Sequence, residues 1–349
     1  MNTSMIRSVV VKQRMPMFVV AMLVAVAGVA SLSCSGGGEQ QPLIIYAGRS
    51  PTLVQPLLEQ FSKDTGTPIK VRYGDGTDLA LGILEEGKNS PADVYITQDV
   101  GALGALKAEN RLQKLPDSVL NRVPAAFRSP EGLWVGLSGR ARVMAYNTDR
   151  IDPKKLPNTV FDYTNTEWKN RLAIVPRSDG FPEFVTAIRL VKGEAFAKEW
   201  LTRLHEQKPK LYPNNIAALT AVANGEVDVA FLNHYYLYEF LAQRGEGFKA
   251  RNYYFDNADL GGIFLVAGAG VLDTSKNREG ANKFVEYLLT KSSQEYFANH
   301  THEYPLVAGV SSEAQLPPLD TLKTPNIDLS NLTDLKGSLN LMRETGILP

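Results

Sequence analysis

From residue 43 onward, the sequence alternates short apolar runs with segments of helical periodicity. The runs at residues 43–46, 68–73 and 92–96 have the length and composition of strands. The segments between them, residues 52–61 and 78–86, have apolar side chains at helical spacing. Strands that alternate with helices predict an α/β fold built on a mostly parallel sheet.

The rest of the chain continues this alternation. In open α/β sheets, ligands bind beyond the carboxyl ends of strands, where the N-termini of the following helices favour an anion. We therefore expect a ligand site in the loops after Tyr46, Tyr73, Val175 and Leu232. Further strands are predicted over residues 134–137, 143–146, 172–176, 227–232 and 263–267, and further helices over residues 184–191, 194–207, 217–223 and 278–289.

The N-terminal segment has the pattern of an export signal. A positively charged start precedes an apolar run at residues 17–30, and small residues follow up to Cys34. The run is shorter than the roughly 20 residues of a membrane span, although a retained N-terminal anchor is the alternative. We predict a signal peptide over residues 1–33 and a flexible tether over residues 34–41.

Cys34 is the only cysteine of the chain and follows this apolar run. It stands where a bacterial lipoprotein is cleaved and acylated, so a lipid there would hold the protein at a membrane. We therefore predict a location in the periplasm or at the outer face of the cytoplasmic membrane. Ordinary signal cleavage near this point, which gives a soluble product, is the alternative.

Composition and motifs exclude several functions. The chain is 44% hydrophobic and 21% charged, as a globular protein should be. Lys+Arg and Asp+Glu both number 37, so no basic field is available for nucleic acid. The sequence contains no convincing Ser-His-Asp arrangement, phosphate loop or metal-hydrolase motif, and we predict that the protein is not an enzyme.

Tyr235, Tyr236 and Tyr238 lie close together where a predicted strand passes into a helix. A bend at this junction would bring the hydroxyls of Tyr235 and Tyr236 together, although on a strand they would point to opposite faces. Phenol oxygens are hard ligands that suit highly charged cations, and a bound trivalent ion would stabilise two phenolates at neutral pH. Half-buried tyrosines that bond water would give the same pattern, so these residues alone leave both interpretations open.

Short motifs along the chain carry a resemblance to a known family. They are YAGR at residues 46–49, LEEG at 84–87, PADV at 91–94, LSGR at 137–140, WK at 168–169, NGEV at 224–227, NHYY at 233–236 and EYPL at 303–306. Together they resemble the ferric-iron-binding proteins of bacterial ABC importers, the bacterial transferrins, over nearly all of the chain after the signal. The tyrosine pair is the iron-binding signature of that family.

The resemblance implies a type II periplasmic-binding-protein fold, in which two α/β lobes close by a hinge on a ligand in the cleft between them. One lobe would comprise residues 42–138 and 261–312, and the other residues 139–260 and 313–349. The protein would act as a monomer that captures ferric iron and delivers it to an ABC permease and its ATPase.

The resemblance also implies a ligand set. Tyr235 and Tyr236 would bind Fe3+ as phenolates, with carbonate or phosphate as a synergistic anion. Tyr46 and Tyr73 are candidates for a further ligand, and equally for packing in the core. The anion-binding residues would be Ser178, Asp179, Gly180, Asn215, Asn233 and, because a guanidinium pairs well with an oxyanion, Arg140.

The sequence departs from the family pattern in the first lobe. Ser50 stands where many members have a histidine, and Thr77, followed by Asp78, stands where a glutamate ligand is common. Asp179 adds a negative charge to the expected anion loop. We therefore expect few first-lobe ligands and more anion or water around the iron. The alternative function is capture of an anionic organic solute, such as a phosphorylated small molecule or a phosphonate.

Overall fold

The structure is a computed structural model that describes residues 41–177, 180–314 and 316–348. The predicted signal peptide, Cys34 and all but the last residue of the predicted tether lie outside these residues. Within the described residues, no helix is both long enough and apolar enough to span a membrane.

The described strands agree with most of the predicted ones. They are β1 (Leu43–Gly48), β2 (Ile69–Tyr73), β3 (Val94–Thr97), β4 (Val135–Asn147), β5 (Leu172–Ile174), β6 (Lys210–Leu211), β7 (Val229–Asn233), β8 (Ala250–Tyr253), β9 (Phe264–Val271) and β10 (Tyr304–Pro305).

The described helices include each of those predicted. They are α1 (Pro51–Thr65), α2 (Gly76–Glu86), α3 (Gly101–Ala108), α4 (Asp117–Leu120), α5 (Phe181–Lys192), α6 (Glu194–Glu206), α7 (Asn215–Ala223), α8 (Tyr235–Arg244), α9 (Arg278–Leu288), α10 (Lys291–His300) and α11 (Leu335–Glu344). The α/β class is therefore confirmed.

The strands hydrogen-bond in the order β2-β1-β3-β9-β4-β7-β5-β6, and β8 and β10 also pair with β4. Strand β1 is parallel to β2 and β3, and β5 is parallel to β6 and β7. Strand β9 is antiparallel to β3, and β4 is antiparallel to each of its partners. The prediction of a mostly parallel sheet is therefore wrong. Two parallel groups are joined by antiparallel strands, which need no helical crossover to their neighbours.

Strand β4 corrects a second prediction. Residues 134–137 and 143–146 were expected to form two strands on either side of Ser138, Gly139 and Arg140, but one strand runs through all of them. A register shift lies between Gly136 and Ser138, and the Phe264 ring occupies the space that a side chain at Gly139 would fill. Glycine here permits a close approach of β4 and β9 rather than a turn.

Strand β4 connects the two parallel groups. From Val135 to Ala141 it pairs with β9, and from Arg142 to Tyr146 it pairs with β7. Helices cover the sheet through apolar faces, as in α1, whose spaced side chains Val54, Leu57, Leu58 and Phe61 are buried. The junction of β7 with α8 therefore lies beside the point where β4 passes from one group to the other.

Candidate metal centre

Tyr235 and Tyr236 open α8, and His234 alone separates them from the end of β7. The Tyr235 hydroxyl donates a hydrogen bond to the Tyr236 hydroxyl, with 3.1 Å between the oxygens. The two ring centroids are 4.3 Å apart. The bend at the junction thus brings the two hydroxyls together, as the sequence predicted.

Strand β4 holds this junction in place. The His234 backbone N–H donates to the Ala141 carbonyl at 3.0 Å, and the Ala141 N–H donates to His234 Nδ1 at 3.3 Å. Asn252 donates to the His234 carbonyl at 2.9 Å. Burial lowers the pKa of His234 to about 3, so its imidazole is neutral and Nδ1 is free to accept this bond. The residue that precedes α8 is therefore held to β4 and to Asn252 by hydrogen bonds.

The protonation of the pair depends on what binds there. Burial raises the pKa of Tyr235 well above its usual value, and the neighbouring Tyr236 raises it further. The positive charge of Arg140 acts in the opposite direction. Without a cation, the phenol proton of Tyr235 stays on its oxygen at neutral pH. A strong positive charge is required before the pair can act as phenolates.

A second buried guanidinium, that of Arg142, lies on the same side of β4 as the guanidinium of Arg140. Its two terminal nitrogens donate to Asn233 Oδ1 at 3.0 Å and to the Phe231 carbonyl at 3.1 Å. Its Cζ lies 4.3 Å from the centroid of the Phe231 ring. Burial lowers its pKa to about 10, and the charges of Tyr235 and Tyr236 would raise it. Arg142 is thus still a cation at neutral pH and lies within electrostatic reach of the pair.

The predicted anion loop is described only at its end, because Ser178 and Asp179 lie outside the described residues. Gly180 has a φ of 96°, and its N–H donates to Glu183 Oε2 at 2.8 Å. A Cβ at Gly180 would lie 3.1 Å from Asn233 Oδ1 and 3.2 Å from an Arg142 nitrogen. Of the predicted anion contacts, Gly180 and Asn233 therefore lie together.

Asn215, the other predicted asparagine, is the first residue of α7 and is buried. Within the described residues, its Oδ1 has no hydrogen-bond partner. Buried polar atoms normally have one, so this atom is suited to contact a ligand or a bound water.

Arg140, the arginine predicted to neutralise an anion, is engaged by protein groups. It donates to the Gln98 carbonyl at 2.7 Å and pairs with the Asp99 carboxylate. Its charge is thus offset by a carboxylate from the loop after β3. Arg142, two residues further along the strand, is the guanidinium that adjoins the described end of the anion loop.

Glu303 is the centre of a buried polar cluster that the sequence analysis did not single out. Its Oε2 accepts bonds from Arg49 at 2.6 Å, Ser138 at 3.0 Å and Thr301 at 2.9 Å. Burial alone would raise the pKa of Glu303, but the charges of Arg49 and Arg140 outweigh it, and the pKa is lowered. The EYPL motif contained this residue, but only the fold reveals its partners.

The remaining predicted residues lie elsewhere in the first parallel group. The Tyr46 hydroxyl bonds Glu86 at 2.9 Å and Arg72 at 3.2 Å, at the C-terminal end of α2. Tyr73 packs partly buried against the core. Ser50 is exposed before α1, and Thr77 and Asp78 are exposed in the first turn of α2. Tyr46 is thus engaged in a separate polar cluster.

Side chains that commonly bind metals do not gather elsewhere in the described ranges. Among those residues, no group of three or more His, Cys, Asp or Glu side chains could hold a metal ion. The phenol pair, the adjacent guanidinium and the end of the anion loop form the candidate metal centre, at the carboxyl end of β7. The chain belongs to the family of bacterial extracellular solute-binding proteins, whose model matches residues 89–331.

Similar proteins are known from sequence and from structure. The major ferric iron-binding protein of Neisseria meningitidis serogroup A is 36% identical over 311 residues, which cover 87% of this chain and 93% of that protein. Iron-bound HitA from Pseudomonas aeruginosa has a TM-score of 0.79 and 35% identity, covering 87% of this chain and 99% of its own. A Trichodesmium protein in complex with iron and citrate has a TM-score of 0.76 and 31% identity, covering 88% and 99%. These matches confirm the type II periplasmic-binding-protein fold.

Proposed function

We propose that this protein captures ferric iron outside the cytoplasm and delivers it to an ABC permease and its ATPase. Tyr235 and Tyr236 bind Fe3+ as phenolates, and carbonate or phosphate serves as the synergistic anion. The distance of 3.1 Å between the two phenol oxygens carries this proposal. Two oxygens in neighbouring positions of an octahedral site with bonds of about 2.0 Å lie about 2.8 Å apart, so little movement is needed.

The chemistry of the pair favours a trivalent cation. Burial keeps the pKa of Tyr235 well above its usual value, so a weakly charged ion has to overcome a large preference for the protonated phenol. A hard ion of high charge forms strong bonds to phenolate oxygen and displaces both protons. The similarity to proteins named for ferric iron supports the same choice.

The anion completes the proposed site from the second lobe. Its proposed contacts are Ser178, Asp179, Gly180, Asn215 and Asn233. Arg140 is a further contact only if it leaves Asp99. The exposed Ser50 and Thr77 contribute no strong ligand from the first lobe, so the anion and water occupy the remaining positions. Tyr73 stays a candidate for a further ligand, and Tyr46 is one only if it leaves Glu86 and Arg72.

Two lobes would close on this site by a hinge, one comprising residues 42–138 and 261–312 and the other residues 139–260 and 313–349. Strand β4 crosses the proposed boundary between residues 138 and 139 without a break, which is consistent with a connecting strand. We further propose that a lipid on Cys34 tethers the protein, as a monomer, at the outer face of the cytoplasmic membrane.

An iron titration followed by absorbance tests the proposal. The wild-type protein should develop a visible phenolate-to-iron charge-transfer band and should melt at a higher temperature when loaded, because iron binds only the folded state. Tyr235→Phe and Tyr236→Phe should each lose most of the band. Tyr253→Phe is the matched control, because its hydroxyl bonds only Asn158 among the described residues, at 3.1 Å. A wild-type protein that stays colourless with iron would contradict the proposal.

An organic anion alone is the competing ligand. Arg142 and the anion loop could bind such a solute through its negative charge. Two adjacent phenols would not be required for that binding. Calorimetry with ferric citrate and with a panel of phosphorylated compounds separates the two functions. Tight binding of one such compound in the absence of iron, with no iron band, would establish the alternative.

A further inference from the structure

Tyr304 is a buried tyrosine that packs against the residue preceding the proposed ligand pair. It is the first residue of β10, pairs with Gly139 of β4 and is 1% exposed. Its ring packs against the imidazole of His234, with 4.7 Å between the ring centroids and 34° between the planes. It also meets the Phe264 ring, at 5.5 Å and 61°. Tyr304 thus connects β9 to the residue before α8.

His234 contacts both Tyr304 and the proposed ligand Tyr235. Its imidazole meets the Tyr235 ring edge to face, with 5.8 Å between the centroids and 86° between the planes. Among the described residues, the ring contacts of Tyr235 come from His234 and Tyr236. A change in the orientation of the imidazole would therefore reach the Tyr235 ring directly.

Hydrogen bonds hold the imidazole of His234 only weakly. Its Nδ1 accepts the Ala141 N–H at 3.3 Å, which is long for such a bond, and its buried Nε2 has no hydrogen-bond partner in the described part of the chain. The His302 backbone lies close enough to affect the pKa of His234, although no bond of good geometry joins them. The orientation of the imidazole therefore depends on packing, and the nearest described ring is that of Tyr304.

The hydroxyl of Tyr304 contributes less than its ring. It lies close enough to the Tyr254 hydroxyl to affect the pKa of Tyr254, although no hydrogen bond of good geometry joins the two. Tyr254 is instead paired with Tyr238 of α8, with 3.3 Å between the hydroxyl oxygens. A buried hydroxyl without a well-formed bond adds little stability, so its removal should cost little. The ring of Tyr304 is the part that acts on His234.

The proposed metal site is sensitive to small movements of Tyr235. Its hydroxyl lies 3.1 Å from that of Tyr236, close to the separation that one metal ion requires. The hydroxyl is at the far end of a long side chain, so a small rotation of the ring moves the oxygen appreciably. Sites of this kind need their ligand atoms within about 0.5 Å of the productive geometry. Loss of packing on one side of the ring would permit a larger movement.

We propose that Tyr304 is a positioning residue of the iron site: its ring holds the imidazole of His234 in the orientation that keeps Tyr235 beside its neighbour. The inference rests on the proposed function and assigns a role within it to a residue of β10. The competing explanation is that Tyr304 only fills the core. A core residue affects stability without changing the environment of the bound metal, so the two explanations differ in the iron-loaded protein.

Absorbance titrations with ferric citrate test this role in two variants. Tyr304→Leu removes the ring and should bind iron about tenfold more weakly, with a shifted charge-transfer band, because the phenolate of Tyr235 is no longer held in place. Tyr304→Phe keeps the ring and should match the wild-type band, with an affinity within about twofold. Tyr304→Met, whose flexible side chain adapts to irregular space, replaces Tyr304→Leu if that variant does not fold.

The same substitution at Tyr163 is the matched control. Tyr163 is also 1% exposed, and its hydroxyl also has no hydrogen-bond partner among the residues described. Its ring packs against Trp168 at 4.8 Å and 39°, an arrangement similar to that of Tyr304 on His234. Tyr163→Leu should therefore lower the melting temperature of the iron-free protein but leave the charge-transfer band unchanged.

The outcomes separate the inference from the proposed function. If Tyr304→Leu keeps the wild-type band and affinity while Tyr235→Phe loses the band, the inference is wrong and the proposed function stands. Equal band shifts in Tyr304→Leu and Tyr163→Leu also overturn the inference, because a loosened core then accounts for both. A shift in Tyr304→Phe as large as that in Tyr304→Leu contradicts the role of the ring. A wild-type protein without an iron band overturns both the inference and the proposed function.

Discussion

The Glu303 cluster and the Arg142 site are two buried arginine environments that differ in how their charge is balanced. Arg49 donates to Glu303, which also accepts bonds from Ser138 and Thr301, so protein groups alone balance that cluster. Arg142 is equally buried but contacts only neutral groups among the described residues. The first environment contains a direct ion pair, whereas in the second no carboxylate among the described residues forms an ion pair with the guanidinium, and Glu183 acts on it only through its charge.

The largest expected effect is the difference in stability between Glu303→Gln and Arg142→Met in the iron-free protein. Glu303→Gln leaves Arg49 buried without its counter-charge and should lower the free energy of unfolding by about 3–5 kcal/mol. Arg142→Met removes a buried unpaired charge, which offsets the loss of its hydrogen bonds, so the change should stay within about 2 kcal/mol.

Urea unfolding of both variants, followed by circular dichroism, measures this difference. The comparison fails if Arg142→Met destabilises the iron-free protein as strongly as Glu303→Gln does. In that case Arg142 is a structural cation, whatever its effect on iron.

A smaller effect is expected at Gly180, which touches the Arg142 site. Gly180→Ala puts a side chain at a φ of 96° and within 3.2 Å of an Arg142 nitrogen. Backbone strain of about 1–2 kcal/mol should be accompanied by weaker iron binding, because the end of the anion loop has to move. Gly66→Ala has a similar φ of 68° with no atom within 4 Å of the new Cβ, and therefore isolates the strain.

Melting temperatures and iron titrations of the two alanine variants give the measurement. Gly66→Ala should lose stability only, and Gly180→Ala should lose stability and affinity. Equal iron affinities in the two variants would show that the space beside Arg142 is not part of the site.

The smallest effect concerns the decrease in the free energy of unfolding at acidic pH. The folded-state pKa of Glu303 is lowered, so its ionised form contributes stability that is present above its unfolded pKa of about 4.3. That contribution is lost as the pH falls through the lower folded pKa. Glu303→Gln should flatten the fall in unfolding free energy below pH 5, as urea titrations at several pH values would reveal. An unchanged slope would mean that other carboxylates dominate acid unfolding.

Local patterns were enough to predict most elements and the convergence of the tyrosine pair. The alternation at β1, β2 and β3 with α1 and α2 is visible in residues that are close in sequence. Strand β4 was predicted in two pieces because Ser138 and Gly139 are common in turns, and the distant Phe264 ring that needs this glycine cannot be located from local sequence. The antiparallel pairing of β9 with β3 and β4 also joins segments that are distant in sequence, so local patterns could not predict it.

Arg140 and Arg142 show that local sequence also could not predict the partners of charged residues near the site. Arg140 is the arginine that the sequence analysis predicts as the anion partner, yet it is paired with Asp99, which is distant in sequence. Spacing alone could not distinguish the paired guanidinium from the one without a carboxylate, since the two residues lie on the same side of one strand. The identity of each partner follows from the fold.

The position of β9 also has a consequence for biosynthesis. Strand β3 has β9 as its neighbour, and β9 is made only after most of the chain has left the ribosome. Until then, β3 presents an unpaired edge that is prone to association with other strands. Pairing between such distant segments is slow, so the first parallel group should stay incomplete during synthesis. A chain that cannot finish its sheet early remains unfolded for longer, which is compatible with the export across a membrane that we propose.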